Sequence, residues 1–195
     1  KQPMKKTAAG PANEPEPPKP VAYGAAAMVD LIDEIEWGSC ECLNAVSKDG
    51  VGRIMKQGLR DQADLLLESD ADEQLLLTIA FKGPTKVHSI KFDAPEGRAP
   101  SGVKLFVNAK SFDFADAETS PAAQELELTA EQLGKRIDLR FVKFQSVQQL
   151  AVFIHSNQED GEVSALSGLT LWGAPIAATN MSDFKRVAGE KGEGE

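Results

Sequence analysis

Several residue types that catalysis and anchoring commonly draw on are scarce in this sequence. Its 195 residues include two cysteines, two histidines, two tryptophans and one tyrosine. Cys40 and Cys42 alone cannot form a disulfide framework, and the N-terminus has no apolar leader, so a reducing compartment is expected, cytoplasmic and nuclear. No apolar run approaches the ~20 residues of a membrane span. Lys and Arg form no cluster, and the net charge is −9. An acidic surface repels phosphate backbones and anionic lipid, so neither nucleic acid nor membrane is expected as a partner. Zinc needs about four ligands, and His88 and His155 are far in sequence from the cysteines. There is no nucleophile elbow with Ser-His-Asp order, no phosphate-binding glycine loop and no His-Glu-x-x-His. No catalytic residue, metal or cofactor is therefore assigned.

What is present points to a single domain with tails. Apolar residues make up 42% of the chain, enough for one core of ordinary size. Six of the eleven prolines lie in residues 1–20, which carry four Lys and two Glu, so this arm is +2 and the remainder −11. Residues 1–27 read as a flexible arm or linker, 28–187 as the folded unit, and 188–195 (AGEKGEGE) as a polar tail. Met28, Leu31, Ile32 and Ile35 fall at helical spacing and predict a short amphipathic helix. From Leu75 onward the pattern is that of strands: 75–81, 87–92 beyond the turn-rich 82–86, 103–107, 137–144 with a phase slip at Phe141-Val142, 150–154 and 163–172. Thr129 to Gln132 fits a capping box. Short strands without a long connecting helix predict a mainly β fold, an antiparallel sandwich or jelly roll with short peripheral helices.

Four stretches carry a family resemblance: Cys40-Glu41-Cys42-Leu43-Asn44, LESDADEQLL (67–76), FVKFQSV (141–147) and ATNMSDFKRV (178–187). In this order and at these intervals the chain resembles the PITH domain, the proteasome-interacting domain of thioredoxin-like proteins and of stand-alone relatives. The resemblance covers roughly residues 29–188. It implies a galactose-binding-like jelly roll, binding to the 26S proteasome regulatory particle, and no catalysis by the domain itself. In two-domain members the redox chemistry belongs to a thioredoxin domain with a Cys-x-x-Cys motif, which is absent here. The opening Lys1 and the Pro-rich arm fit the C-terminal half of such a protein better than a stand-alone one. A chain that is monomeric when free is expected.

Candidate sites follow from residue type. Asn180, Met181, Asp183, Phe184, Lys185 and Arg186 mix the aromatic, Met and Arg side chains enriched in interface cores, and the resemblance favours a proteasome-facing surface there over a staple for the chain end. Cys40 and Cys42 read first as structural and second as redox-sensitive thiols. The acidic run from Glu68 to Glu73 fails as an EF-hand, because a loop starting at Asp70 would need Gly at Leu75 and Glu at Phe81. It reads as a solvated turn or a docking surface. His88 and His155 read as structural. A small-ligand or sugar-binding sandwich is the alternative function, with Trp37, Trp172 and Tyr23 as its available platforms.

Overall fold

The computed structural model describes residues 28–59, 62 and 64–176. In chain order the strands are β1 (Val29–Asp30), β2 (Glu41–Leu43), β3 (Leu67–Glu68), β4 (Leu75–Asp93), β5 (Pro100–Val107), β6 (Gln124–Glu127), β7 (Ile137–Asp138), β8 (Val147–Asn157), β9 (Ala165–Leu166) and β10 (Gly168–Pro175). Two short helices, α1 (Gly50–Met55) and α2 (Phe114–Thr119), and several 3-10 turns lie at the periphery. The main sheet runs β1-β10-β4-β8-β5-β6, with β2 and β7 also pairing with β4, and β3 pairs with β9. Every pairing is antiparallel.

The organising element is β4. Its first part, Leu75 to Ala80, pairs with β8, and its second, Thr85 to Asp93, pairs with β10. Both ends of β4 return to the same end of the molecule. Leu75 faces Ile154, three residues short of Asn157, which pairs with Pro100. Asp93 accepts from Ser167 N–H, next to the Ala165 N–H that donates to Arg98. The strand thus runs through one layer, bends at 81–84, and comes back through the other, giving a jelly-roll sandwich. The sequence predicts two strands separated by a turn. The backbone stays extended through Lys82-Gly83-Pro84 instead, and the Pro84 carbonyl accepts from Ile176.

Side chains alternate along these strands as the pleat requires. Leu75, Leu77, Ile79, Val103, Leu105, Leu150, Val152, Ile154, Ile90, Phe92, Leu169 and Leu171 fill the space between the layers. Leu76, Phe106, Ala151 and Phe153 point the other way and form a second cluster with Ala117 of α2. Phe112 and Phe114 cap this cluster: Phe106 and Phe112 have centroids 4.6 Å apart, and Phe114 and Phe153 6.0 Å. The stretch 75–79 therefore reads as almost unbroken apolar sequence because both faces of β4 are covered there. Each fully buried Leu or Phe contributes about 1.5–3 kcal/mol. A capping box starts α2, with Asp113 and Asp116 each accepting the other's backbone N–H.

Two local expectations are corrected. The helix predicted over Met28 to Ile35 is β1 followed by one 3-10 turn, Leu31–Glu34, because β10 claims Val29 and Asp30 while Ile35 bridges Phe81. Leu31 and Ile35 are nevertheless buried. The strand predicted over 137–144 ends after Asp138, and Phe141–Lys143 is a 3-10 turn. The phase slip marks that turn, not a bulge. The box at Thr129 is present, with Gln132 Oε1 accepting from Thr129 N–H at 3.0 Å.

Candidate functional site

The pairing of β2 with β4 places Cys42 opposite Leu77 and leaves Cys40 just outside the strand. Helix α1 packs over them so tightly that a Cβ on Gly50 would come 3.2 Å from the Cys42 Cβ. Both thiols line a cleft of about 90 Å³ with Trp37, Lys48, Asp49 and Lys56. Cys40 Sγ donates to the Glu36 carbonyl at 3.4 Å and accepts from Ala80 N–H at 3.5 Å. Burial pushes the Cys40 thiol up, opposed by the Ala80 hydrogen bond, while the Glu36 charge raises it further and Lys56 lowers it. Burial, with help from Glu41, pushes Cys42 up to about 12. The thiolate is the reactive species, and these surroundings favour the protonated thiol at both sulfurs at neutral pH.

A measurable consequence concerns alkylation. Iodoacetamide at pH 7.5 is expected to leave Cys42 unmodified in the folded chain over hours and to modify it within minutes in urea, as read by intact mass. Labelling of native Cys42 at the denatured rate would refute the protonated, half-buried assignment. The linkage also has a definite sign. The unfolded thiol releases its proton near its ordinary 9.0 and the folded one near 12, so between those pH values the unfolded state binds fewer protons. The contribution of Cys42 is intact below pH ~9 and is lost as pH rises towards ~12.

The remaining candidates are engaged in packing. His88 Nδ1 lies 3.6 Å from Asp138 Oδ1 and 3.5 Å from the Arg136 guanidinium. The His155 ring packs on Phe153 and lies directly over Gly102. A cation sits over each tryptophan: Lys56 Nζ is 5.3 Å from the Trp37 centroid and Arg136 Cζ is 5.0 Å from that of Trp172. One face of each platform that a sugar would stack on is therefore taken. Tyr23 lies outside the described residues.

The acidic run is a clamped turn. Asn44, at φ 59°, donates to Asp72 Oδ1 and the Gln74 carbonyl, each at 2.7 Å, and accepts from Ala71 N–H at 3.0 Å. Glu68 pairs with Arg98, and Ser69 N–H donates to the Ser164 carbonyl. Among the described residues no three His, Cys, Asp or Glu side chains are grouped to hold a metal.

Asn180, Met181, Asp183, Phe184, Lys185 and Arg186 lie outside the described residues. The described chain ends at Ile176, beside Pro84. The turn Phe141–Lys143, part of a family stretch in the sequence but not read there as a surface, leaves Phe141 42% and Val142 84% exposed. Its signal was the broken alternation at these two residues.

By its architecture the chain is a galactose-binding-like jelly roll. It superposes on a family 32 carbohydrate-binding module of Clostridium perfringens solved with galactose, with a TM-score of 0.52 at 8% identity, over 74% of this chain and 98% of the module. A second such module from the same organism, solved with GalNAc-β-1,3-galactose, gives 0.51 at 9% identity over 73% of this chain and 99% of that one. Identities this low show the fold alone. The PITH domain family matches residues 22–189, and the chain belongs to that family. It is 36% identical to thioredoxin-like protein 1 of Schizosaccharomyces pombe over 160 residues, 78% of this chain and 54% of that protein. It is 30% identical to human PITH domain-containing protein 1 over 148 residues, 74% of this chain and 66% of the relative. The chain thus aligns with between about half and two thirds of the length of these relatives.

Proposed function

We propose that the chain is a non-catalytic adaptor domain that binds the 26S proteasome regulatory particle and tethers a thioredoxin-like module to it. The observation that carries this reading is the family match over residues 22–189. Two further observations support it. The relative called thioredoxin-like protein 1 is longer than the aligned region, which covers 54% of it, leaving room for a second module. The thiols of this chain are held protonated, which suits a domain that leaves redox chemistry to an attached partner. The benefit of tethering is effective concentration: a linked module meets proteasome-bound substrates without a separate binding event. Asn180, Met181, Asp183, Phe184, Lys185 and Arg186 remain the proposed contacts, and the cytoplasm and nucleus the proposed compartments.

The test is co-sedimentation of the full chain with purified 26S proteasome in a glycerol gradient, alongside an insulin-reduction assay. The chain is expected to migrate with the regulatory particle, to ignore isolated core particle and to reduce no insulin. Substituting Phe184→Ala with Arg186→Ala is expected to weaken binding about tenfold, the effect of losing roughly 1.4 kcal/mol. Failure to co-sediment would sink the adaptor reading. Binding that ignores the double substitution would move the contact off that segment.

A further inference from the structure

Exposed apolar side chains and cations gather at one end of the sandwich. That end is built from the β4 bend, the turn after β5, the loop entering β8 and the last residues of β10. Val87 N–H donates to the Phe144 carbonyl at 3.0 Å, and Ile176 N–H to that of Pro84 at 2.9 Å. Asn108 Nδ2 donates to the Ser146 carbonyl at 2.9 Å, and its Oδ1 accepts from Gln148 N–H at 2.7 Å. Among the described residues the exposed large hydrophobics are Val29, Val46, Phe141, Val142 and Ile176. Phe141, Val142 and Ile176 belong to this end, and Val29 pairs with Gly173, which faces Val87. Only Val46 sits at the other end, where its N–H donates to Glu68. Single exposed hydrophobics need no explanation, but a cluster of them marks an interaction site.

The display is rigid. Lys143 N–H donates to the Arg140 carbonyl at 2.9 Å, and Gln145 Nε2 to that of Phe141 at 2.8 Å. Phe144 is fully buried and plugs the turn into the core. A preformed turn avoids much of the ordering cost that weakens binding by flexible loops.

Charge is polarised in the same direction. Segments 82–87, 108–111, 140–146 and 174–176 contain Lys82, Lys86, Lys110, Arg140 and Lys143 and no carboxylate. The carboxylates nearby are those of Asp33, whose carbonyl accepts from Lys82 Nζ at 2.7 Å, of Glu34 and Glu36 on either side of Ile35, which bridges Phe81, of Asp113 beyond the turn after β5, and of Asp138 in β7. At the opposite end, segments 68–74, 93–98 and 157–164 hold nine carboxylates against one guanidinium, that of Arg98. A chain of net charge −9 has therefore gathered five of its cations around its exposed apolar turn.

We infer that this end docks an acidic protein segment bearing an apolar anchor, with Phe141 and Val142 receiving the anchor and the five cations its carboxylates. Such complementarity sets orientation and speeds encounter. An anionic membrane fits less well, because the rest of the chain is more acidic still and is repelled by a charged leaflet. The inference rests on the adaptor reading only for the identity of the partner. The partner's chemistry comes from the surface itself.

The test uses the isotopically labelled full chain and a synthetic peptide, Glu-Asp-Phe-Glu-Asp-Leu-Glu, followed by amide chemical shifts. Shifts are expected in Arg140–Gln145 and Lys82–Val87 and not in 157–164. Substituting Val142→Asp with Lys143→Glu, both solvent-facing, is expected to cut peptide affinity at least tenfold and leave the remaining spectrum in place. No shifts at millimolar peptide, shifts centred elsewhere, or equal shifts from the lysine-substituted peptide would overturn the inference. So would vesicles containing 30% phosphatidylserine engaging the same residues more tightly than the peptide does. Purified 26S proteasome then separates the two readings. If wild type binds it and the double variant binds equally well, this end is not the docking surface. If wild type fails to bind it while the peptide shifts appear, the adaptor reading falls and the docking surface stands.

Discussion

Substituting Gly173→Ala is expected to destabilise the full chain by about 3 kcal/mol or to prevent folding, an effect at the upper end for one added methyl. The reason is a backbone approach. A Cβ at this position would land on the Lys86 carbonyl oxygen, far inside van der Waals contact, 2.9 Å from that group's carbon and 3.1 Å from Leu31 Cδ1. Neither obstacle yields cheaply. Lys86 lies in the second part of β4, where the register against β10 shifts between Trp172 and Gly173, and the fully buried Leu31 closes that side of the core. Relief would require β10 to move away from β4, breaking ladder hydrogen bonds and loosening β1, which pairs only through Gly173 and Trp172. Gly83 is the matched control: a Cβ there meets nothing within 4 Å. Substituting Gly83→Ala is expected to change stability by no more than about 0.5 kcal/mol. Urea unfolding of both variants reads the difference, and a Gly173→Ala midpoint equal to that of wild type would refute the account.

The layers were legible because short apolar segments bounded by turn residues recur along the chain, alternating in part of β10 and running unbroken in β8, where both faces are covered. Two features resisted. The bend in β4 looks like a hairpin turn, since Lys-Gly-Pro-Thr-Lys has turn composition. What decides the matter is non-local: Ile176, nearly a hundred residues away, takes the Pro84 carbonyl, and β10 and β8 both reach Thr85. The predicted helix at residues 28–35 failed for the same reason. Helical spacing at Leu31 and Ile35 correctly identified what is buried, but pairing with β10 and Phe81 outcompeted helix formation over so short a stretch.

The site was less legible than the fold. Residue types alone can suggest thiol chemistry at Cys40 and Cys42, but they do not show how far each thiol is covered, and that cover comes from α1 and β4 closing over β2. The turn at Phe141–Lys143 left a mark in the sequence, two adjacent apolar residues out of phase, yet the same mark fits a bulge with one of them buried. The exposure of Phe141 and Val142, with Phe144 filling the core in their place, shows that both face outward. Nor does the polarity between the two ends show in the sequence order of charges, because each end is assembled from segments tens of residues apart.

Two of the stretches that carry the family resemblance, 40–44 and 67–76, are distant in sequence and meet through the Leu43–Leu76 pairing, the Asp70 N–H to Asn44 carbonyl bond and the Asn44 side chain, and that side chain sets the second large expected effect. Substituting Asn44→Ala is expected to destabilise the chain by about 3 kcal/mol: each lost hydrogen bond is worth about 0.5–1.5 kcal/mol, and alanine at a left-handed φ adds about 1 kcal/mol. The left-handed backbone can be separated from the clamp. Asn44→Gly tolerates φ 59° and is expected to lie about 1 kcal/mol above the alanine variant. Asn44→Asp keeps the shape but loses both N–H donors and sets a second carboxylate against Asp72, whose Oδ1 accepts from Asn44 at 2.7 Å. Repulsion raises the folded pKa of the new pair above its unfolded value, so its penalty is absent in acid and grows as pH rises through the carboxylate range. At pH 7 this variant is expected to be less stable than Asn44→Ala, and below pH ~4 the order is expected to reverse. The clamp also holds the strand that carries Cys42, so native-state alkylation of that thiol is expected to accelerate at least tenfold in Asn44→Ala. Equal urea midpoints for all four chains, or an Asp-to-Ala difference that ignores pH, would show that the turn holds itself and that Asn44 merely decorates it.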